Sequence, residues 1–566
     1  MKIDMPSAPM PSQCEKRTNR FLESVGMHEG QLRASDAQEL GGLQPYELTL
    51  DKFLAHAAKW HPRGQVVTGG GAGGPVSRID YAALQVRANR LSGAFAALGI
   101  RAGDRIATLA WNSQGHMETW YAAFGMGVSC HTLNPRLGPA QIADMIRQAD
   151  DRLIAASPDQ AAVVEELVRL CPSIERVLIL DEPGEEAVPL PDCGAVPAWT
   201  QSQLLAEYGA PAEWGGFSER TEAALCFTSG TTGAPKGVPY SHRCNYLVTL
   251  SLLQSDVMGI NARDAILAAV PMFHANGWGL PLAGAASGAK LVFTGHHNDG
   301  ASLAELIRSE GVTLAVGVPT VWLGLIEHLE RTGETLPSLE RVLLGGSGVP
   351  QALIDRIESR LGVRCQTSWG MTELSPLGTV TPPAHAGRAS IAGRPPVGVD
   401  LRLVDFEGRE LPEQRGVEGH LQVRGSSTVH CYFGQEIPAT DRDGWFDTGD
   451  LATIDEDGNL SITGRAKDLI KSGGEWINPG EIEAIVGNLP GISLVAVIGR
   501  AHAKWTERPV LIVEGQGASD AEIRAALEGA VPRWWMPDAI VRVERMPLAM
   551  TGKIDKQALR RSHGAE

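Results

Sequence analysis

A chain of 566 residues with 43% hydrophobic and 20% charged residues carries enough apolar matter to fold and is too long for one compact core, so two or more domains are expected. Its formal net charge of −16 argues against nucleic acid as a partner, because nucleic acid rewards a clustered basic surface. Eight scattered cysteines without a C-x-x-C pair read as neither a zinc site nor a disulfide framework, and with no apolar run after the early lysines no secretory signal is expected and the expected location is cytoplasmic.

Residues 1–50 carry no sustained periodicity and read as an extension lying on the first domain. Residues 50–61 read as an amphipathic helix. The glycine-rich tip at 68–74 reads as a turn between strands with no phosphate role. Residues 81–98 form a strong helical pattern, with Leu84, Val86, Ala88, Leu91, Phe95 and Leu98 on one face. Strands at 104–110, before Asn134-Pro135-Arg136, near Leu153 and at 177–180 alternate with helices at 117–126, 142–150 and 161–170. That alternation is the signature of a parallel sheet covered by helices. The acidic, proline-punctuated stretch 181–197 reads as a surface loop.

An apolar run, 223–227, reads as a buried strand and leads into Thr228-Ser229-Gly230-Thr231-Thr232-Gly233-Ala234-Pro235-Lys236-Gly237-Val238. Glycines free backbone N–H groups to converge on an anion, hydroxyls donate further bonds, and the lysine balances charge. That chemistry suits a polyphosphate. The Walker pattern fails here, because Pro235 precedes Lys236 and Gly237 follows it. Beyond it, Ser241 is placed to cap a helix whose expected apolar stripe is Leu247, Leu250, Leu253 and Val257.

The pattern then repeats. A strand at 266–270 ends in Pro271-Met272-Phe273-His274-Ala275-Asn276-Gly277-Trp278-Gly279, and the small apolar residues of 279–295 read as core packing, not a membrane span. A helix at 303–310 and a strand at 314–318 follow. A strand at 341–344 runs into Gly345-Gly346-Ser347-Gly348-Val349, with Pro350 opening a helix that Gly362 stops. Another strand leads into Ser368-Trp369-Gly370-Met371-Thr372-Glu373. In open parallel sheets, ligands collect beyond the carboxyl ends of strands, and all these unusual loops occupy such places. From about residue 395 short strands at 400–404, 418–424, 444–450 and 459–463 suggest a small antiparallel region. After it, helices at 479–489 and 520–530 with strands at 494–498, 510–513 and 539–543 suggest a unit of about a hundred residues. The expected fold is therefore α/β: a large domain, 1–466, of parallel-sheet layers plus an antiparallel region, then a small, mobile α+β domain, 467–566.

Seven strings in order, SGTTGAPKG, PMFHANGWG, GGSG, SWGMTE, GWFDTGD, GRAKDLIKSGGEW and PLAMTGKI, resemble the adenylate-forming superfamily of acyl-CoA synthetases, luciferases and peptide-synthetase adenylation domains. The resemblance runs from about residue 50 to 560 and looks strongest toward medium- and long-chain fatty-acyl-CoA ligases. It implies ATP, Mg2+ and coenzyme A, a small-molecule carboxylic acid as substrate, and two half-reactions: acyl-AMP formation, then transfer to a thiol. It also implies roles. Thr228, Ser229, Thr231, Thr232 and Lys236, with Gly230 and Gly233 opening the backbone, hold the β- and γ-phosphates. Glu373, with Thr228, holds Mg2+. Trp369, followed by Gly370, Met371 and Thr372, stacks on adenine, while Gly345, Gly346 and Ser347 form the adenine-side wall. Asp450 accepts the ribose hydroxyls and Arg465 contacts the ribose. Lys553 bridges the carboxylate and the α-phosphate, and is counted with Thr232, Glu373 and His274 as catalytic. His274 and Trp278 border the acyl pocket, although a satisfied core histidine is the plain alternative for His274. Lys467 is the hinge. Lys471, Gly473 and Gly474 belong to the loop that lines the thiol tunnel.

Three departures from the family pattern, His420, Val349 and Thr506, bear on packing and specificity, because none removes a catalytic group. His296-His297 has no spaced ligand partner and is not read as a metal site. The sequence leaves the oligomeric state open, with a homodimer as one option. An enzyme that loads a carrier protein would use the same residues, and a non-catalytic nucleotide-binding protein is the remaining alternative.

Overall fold

The computed structural model describes residues 43–183, 190–228, 235–549 and 553–564. Two α/β sheets form the bulk of the molecule. One has seven strands, in the order Ala198–Thr200, Arg176–Ile179, Leu153–Ala156, Arg105–Leu109, Ser129–Leu133, Glu222–Phe227 and Gly237–Ser241, all parallel but for the last pair. The other has eight, with a parallel centre and an antiparallel strand at each edge. Parallel strands buried on both faces read as continuous apolar runs, as Leu153–Ala156 and Ala265–Ala268 do.

Helix Gln114–Gly125 lies in the main core, and nearly every residue in it is buried. Ser113 caps it by accepting from the His116 amide. Burying Trp120, Tyr121 and Phe124 contributes about 1.5–3 kcal/mol for each side chain. The same helix buries Glu118, which accepts from Arg87 Nε at 2.8 Å and Gln201 Nε2 at 2.8 Å. A buried charge without such partners would destabilise the core.

Four antiparallel strands, Val399–Val404, Glu418–Gly425, Phe446–Ile454 and Leu460–Arg465, make the third sheet. The fourth sheet contains Glu475–Ile477, Ile470–Ser472, Thr506–Glu514, Leu494–His502 and Ala539–Val543, with helices Pro479–Val486 and Asp520–Leu527 beside it. At Ala466–Asp468 the chain crosses from the third sheet to the fourth through one tight turn. Among the described residues no helix is long and apolar enough to cross a membrane.

Three local expectations are corrected. A strand, Gly237–Ser241, stands between the phosphate-type loop and the next helix; the proline inside it had hidden the strand, which survives because it is an edge strand. Helix His242–Leu252 buries Cys244, Val248 and Leu252, while Leu250 is 43% exposed. Its inward face is thus set by helix Leu280–Ser287 and strand Gly237–Ser241, against which it packs, and not by leucine spacing. Val86, expected on an apolar face, is exposed. The extension before residue 43 lies outside the described residues.

Candidate active site

A cavity of about 460 Å3 opens where the carboxyl ends of both parallel sheets meet the third and fourth sheets. The loop that begins at Thr228 is closed at its base: the Thr228 amide donates to the Lys236 carbonyl at 2.9 Å, and Thr228 Oγ1 accepts from the Lys236 amide. Both residues line the cavity. Ser229, Gly230, Thr231, Thr232 and Gly233 lie outside the described residues.

Opposite, the loop after strand Ala265–Ala268 is fixed by the other sheet. Asn112 Nδ2 donates to the carbonyls of Ala268 and Val270 at 3.0 and 2.7 Å, and its Oδ1 accepts from the Met272 amide at 2.6 Å. The loop then makes a left-handed turn in which Ala275, Asn276, Gly277, Trp278 and Gly279 have φ between 36° and 72°. For the three residues with a Cβ this costs about 1–2 kcal/mol each, and such strain persists where the surroundings over-determine it. The turn lays the Trp278 indole against Gly345 and Gly346: a Cβ on Gly345 would stand 2.9 Å from the indole, and one on Gly346 3.5 Å. Burial, and Lys553 nearby, push the His274 imidazole down to about 4, so it is neutral at ordinary pH. Leu252, Met258 and Leu377 make the neighbouring wall apolar.

Trp369 Nε1 donates to Asp450 Oδ2 at 2.8 Å, and Arg465 Nε pairs with Oδ1 at 2.9 Å. Asp450, only 2% exposed, thus has Oδ2 hydrogen-bonded, while Oδ1 faces the guanidinium as an ion pair but takes no hydrogen bond. The Trp369 ring covers Gly378, where a Cβ would collide at 2.4 Å. Tyr240 Oη donates to the Thr372 carbonyl at 2.6 Å and ties the next residues down. Glu373 Oε1 accepts from Tyr432 Oη at 3.0 Å. Tyr432 was missed by sequence reasoning; it stands in a polar loop between strands with no motif around it. Gly370, Met371 and Thr372 line the cavity with Glu373.

Lys553 enters from the fourth sheet's side and lies in the same cavity, 3.9 Å at Cε from the position a Gly346 Cβ would take. Burial first, then the Arg465 guanidinium, hold its ammonium down to about 8, against the pull of Asp450. Lys467 is likewise depressed, by burial and then by Arg465. Lys236, Arg465, Lys467 and Lys553 thus converge on one cavity in a chain of net charge −16. Asp450 and Glu373 offset part of this charge, and the remainder suits a polyanion. Ser347, Lys471 and Gly474 are exposed, and neither they nor Gly345 or Gly473 are among the cavity's walls.

Among the described residues no three His, Cys, Asp or Glu side chains gather as a metal cage. Glu373, with one oxygen taken by Tyr432, is a lone carboxylate beside a cationic cradle. That donor set fits Mg2+, a hard ion that keeps waters and takes phosphate oxygens alongside one or two carboxylates.

Residues 54–433 match the family described as AMP-binding enzyme, and residues 481–553 match the AMP-binding enzyme C-terminal domain. The chain is 40% identical to a 3-methylmercaptopropionyl-CoA ligase of Ruegeria lacuscaerulensis, covering 92% of this chain and 98% of that protein. It is also 40% identical to a medium-chain-fatty-acid–CoA ligase of Ectopseudomonas oleovorans, covering 93% and 98%. In fold it is similar to the anthranilate CoA ligase AuaEII in complex with anthranoyl-AMP, with a TM-score of 0.81 at 22% identity over 94% of this chain and 99% of that one.

Proposed function

The chain belongs to the AMP-binding enzyme family and is an AMP-forming acid–CoA ligase using ATP, Mg2+ and CoA, and from that premise we propose that its acid is an apolar, unbranched one of medium to long chain, or a hydrophobic analogue. Support comes from the apolar wall of Leu252, Met258, Trp278 and Leu377 beside a neutral His274. A relative's name, medium-chain-fatty-acid–CoA ligase, points the same way.

The observation that carries the mechanism is Lys553 lying in one cavity with Thr228 and Lys236. Two anions, a carboxylate and the α-phosphate, must approach, and a positioned ammonium lowers the cost of bringing them together. In this reading Lys553 spans them, while Thr228 and Lys236 hold the leaving pyrophosphate. Asp450 and Arg465 fix the ribose end, and Trp369 with Gly346, both walls of the cavity, flanks the base. Glu373 and Thr228 hold Mg2+, which when bound neutralises phosphate charge. His274 and Trp278 border the acyl chain.

The second step needs Lys553 out and the thiol in. We assign a boundary at 466/467, where the chain crosses between sheets, with Lys467 as the hinge residue. Rotation there would carry Gly473 and Gly474, which do not line the cavity here, toward the thiol path, with Lys471 beside them. The reaction is assigned to the cytoplasm, where ATP and CoA are present.

A panel of straight-chain acids from propanoate to hexadecanoate, with aryl-alkanoates, in a CoA-dependent AMP-release assay tests the substrate. The highest kcat/KM is expected between about six and twelve carbons. A best substrate with a second charge or a polar chain would overturn the assignment.

A further inference from the structure

Residues 429–433 cross the cavity's phosphate end as a strap fixed at both ends. The Val429 amide donates to the Glu373 carbonyl at 2.8 Å, and the Phe433 amide donates to the Gly237 carbonyl at 2.8 Å. Phe433 packs so closely on Gly237 that a Cβ there would meet its Cβ at 2.9 Å. Between the two anchors Tyr432 touches both charged groups of this end. Its hydroxyl donates to Glu373 Oε1 at 3.0 Å, and the Lys236 ammonium sits 4.6 Å from its ring centroid.

The arrangement solves a problem that the charges create. An ammonium and a carboxylate flanking one small cavity attract each other and would fill it as an ion pair. Among the described residues Lys236 and Glu373 do not pair; the phenol stands between them, one charge on its face and the other on its hydroxyl. A ring face holds a cation without neutralising it. A single hydrogen bond to one carboxylate oxygen fixes the plane of the group and leaves the second oxygen available.

We infer that Tyr432 is a positioning residue for the nucleotide end of the site: its ring spaces Lys236 from Glu373, and its hydroxyl turns the Glu373 carboxylate toward a divalent cation carried by the polyphosphate. The inference rests on the ligase reaction assigned above but makes a separate demand, on binding without turnover.

The test is calorimetric titration of the full chain with α,β-methylene-ATP, without acid or CoA, across Mg2+ concentrations. Tyr432→Phe keeps the ring and loses the hydroxyl, so half-saturating Mg2+ should rise about tenfold while Mg2+-free binding stays the same. Tyr432→Leu loses both contacts and should weaken Mg2+-free binding as well. In a Glu373→Gln background, adding Tyr432→Phe should change nothing further, because the hydroxyl acts through that carboxylate. An unchanged Mg2+ midpoint in Tyr432→Phe, or equal losses with and without Mg2+, overturns the inference alone. An unsubstituted protein whose analogue binding ignores Mg2+ overturns the ligase mechanism and the inference together.

Discussion

The cavity has two kinds of wall. The one built on the parallel sheets is cross-bonded through buried groups: Asn112 to the loop before His274, Tyr240 to Thr372, and Trp369 to Asp450. The other is Lys553, held where Leu548 bridges Ile554 and the Ala549 amide donates to the Lys553 carbonyl at 2.7 Å. Ile554 packs on the fourth sheet. The fourth sheet's side meets the third at two glycines: a Cβ on Gly480 would lie 2.4 Å from the Thr463 carbonyl, and one on Gly464 2.4 Å from the Asn478 side-chain Oδ1. Glu481, at this joint, is raised by burial and by Glu418, so like charges face each other there. On the proposed mechanism the cross-bonded wall stays locked and selects, while the other, the lightly held one, supplies charge and leaves. Free energy localised this way is what a two-step enzyme needs.

The largest effect should come from removing the charge on the lightly held wall. Lys553→Ala is expected to lower acyl-AMP formation about 10²–10³-fold and to leave thioester formation from supplied acyl-AMP intact. Pyrophosphate release and CoA consumption, measured separately, report the two steps. Equal loss of both would mean that the two walls do not divide the reaction.

A pH profile sharpens the same contrast. With the Lys553 ammonium held down to about 8, the charged, active form is present below that pH and is lost as pH rises through it. Acyl-AMP formation at low ATP should therefore fall about tenfold per pH unit above 8. His274, depressed to about 4, stays neutral from pH 5 upward and adds no second limb there. Lys553→Arg keeps its charge at any working pH, so the residual activity of that variant should show no alkaline fall. A fall that persists in the arginine variant would assign the titration elsewhere.

The layered α/β plan was legible because strand and helix periods alternate at short intervals, and because the odd loops all follow strand ends. Glu373, Asp450, Arg465 and Lys553 were legible as well, through strings whose order the resemblance supplied. What stayed hidden depended on tertiary contact. Tyr432 reaches Glu373 from 59 positions away, and no local pattern marks it. Leu250 faces outward because the helix packs by Val248 and Leu252, which hydropathy alone does not separate from its neighbours. Strand Gly237–Ser241 was obscured by Pro239, a residue tolerated only because the strand has no neighbour beyond it.

The smallest effect is expected on the locked wall, and it should change choice of acid more than rate. Trp278 covers Gly345 and Gly346 and borders the apolar wall. In Trp278→Ala the backbone strain at φ 53° is unchanged, since both residues carry a Cβ, so the indole's volume is what is removed. Hydrophobic pockets discriminate by about 1–3 kcal/mol per methylene at most. The ratio of kcat/KM for dodecanoate over hexanoate should therefore rise about tenfold, with KM for ATP unchanged. A variant that instead lost affinity for ATP, with the acid ratio constant, would place Trp278 on the nucleotide side of the cavity.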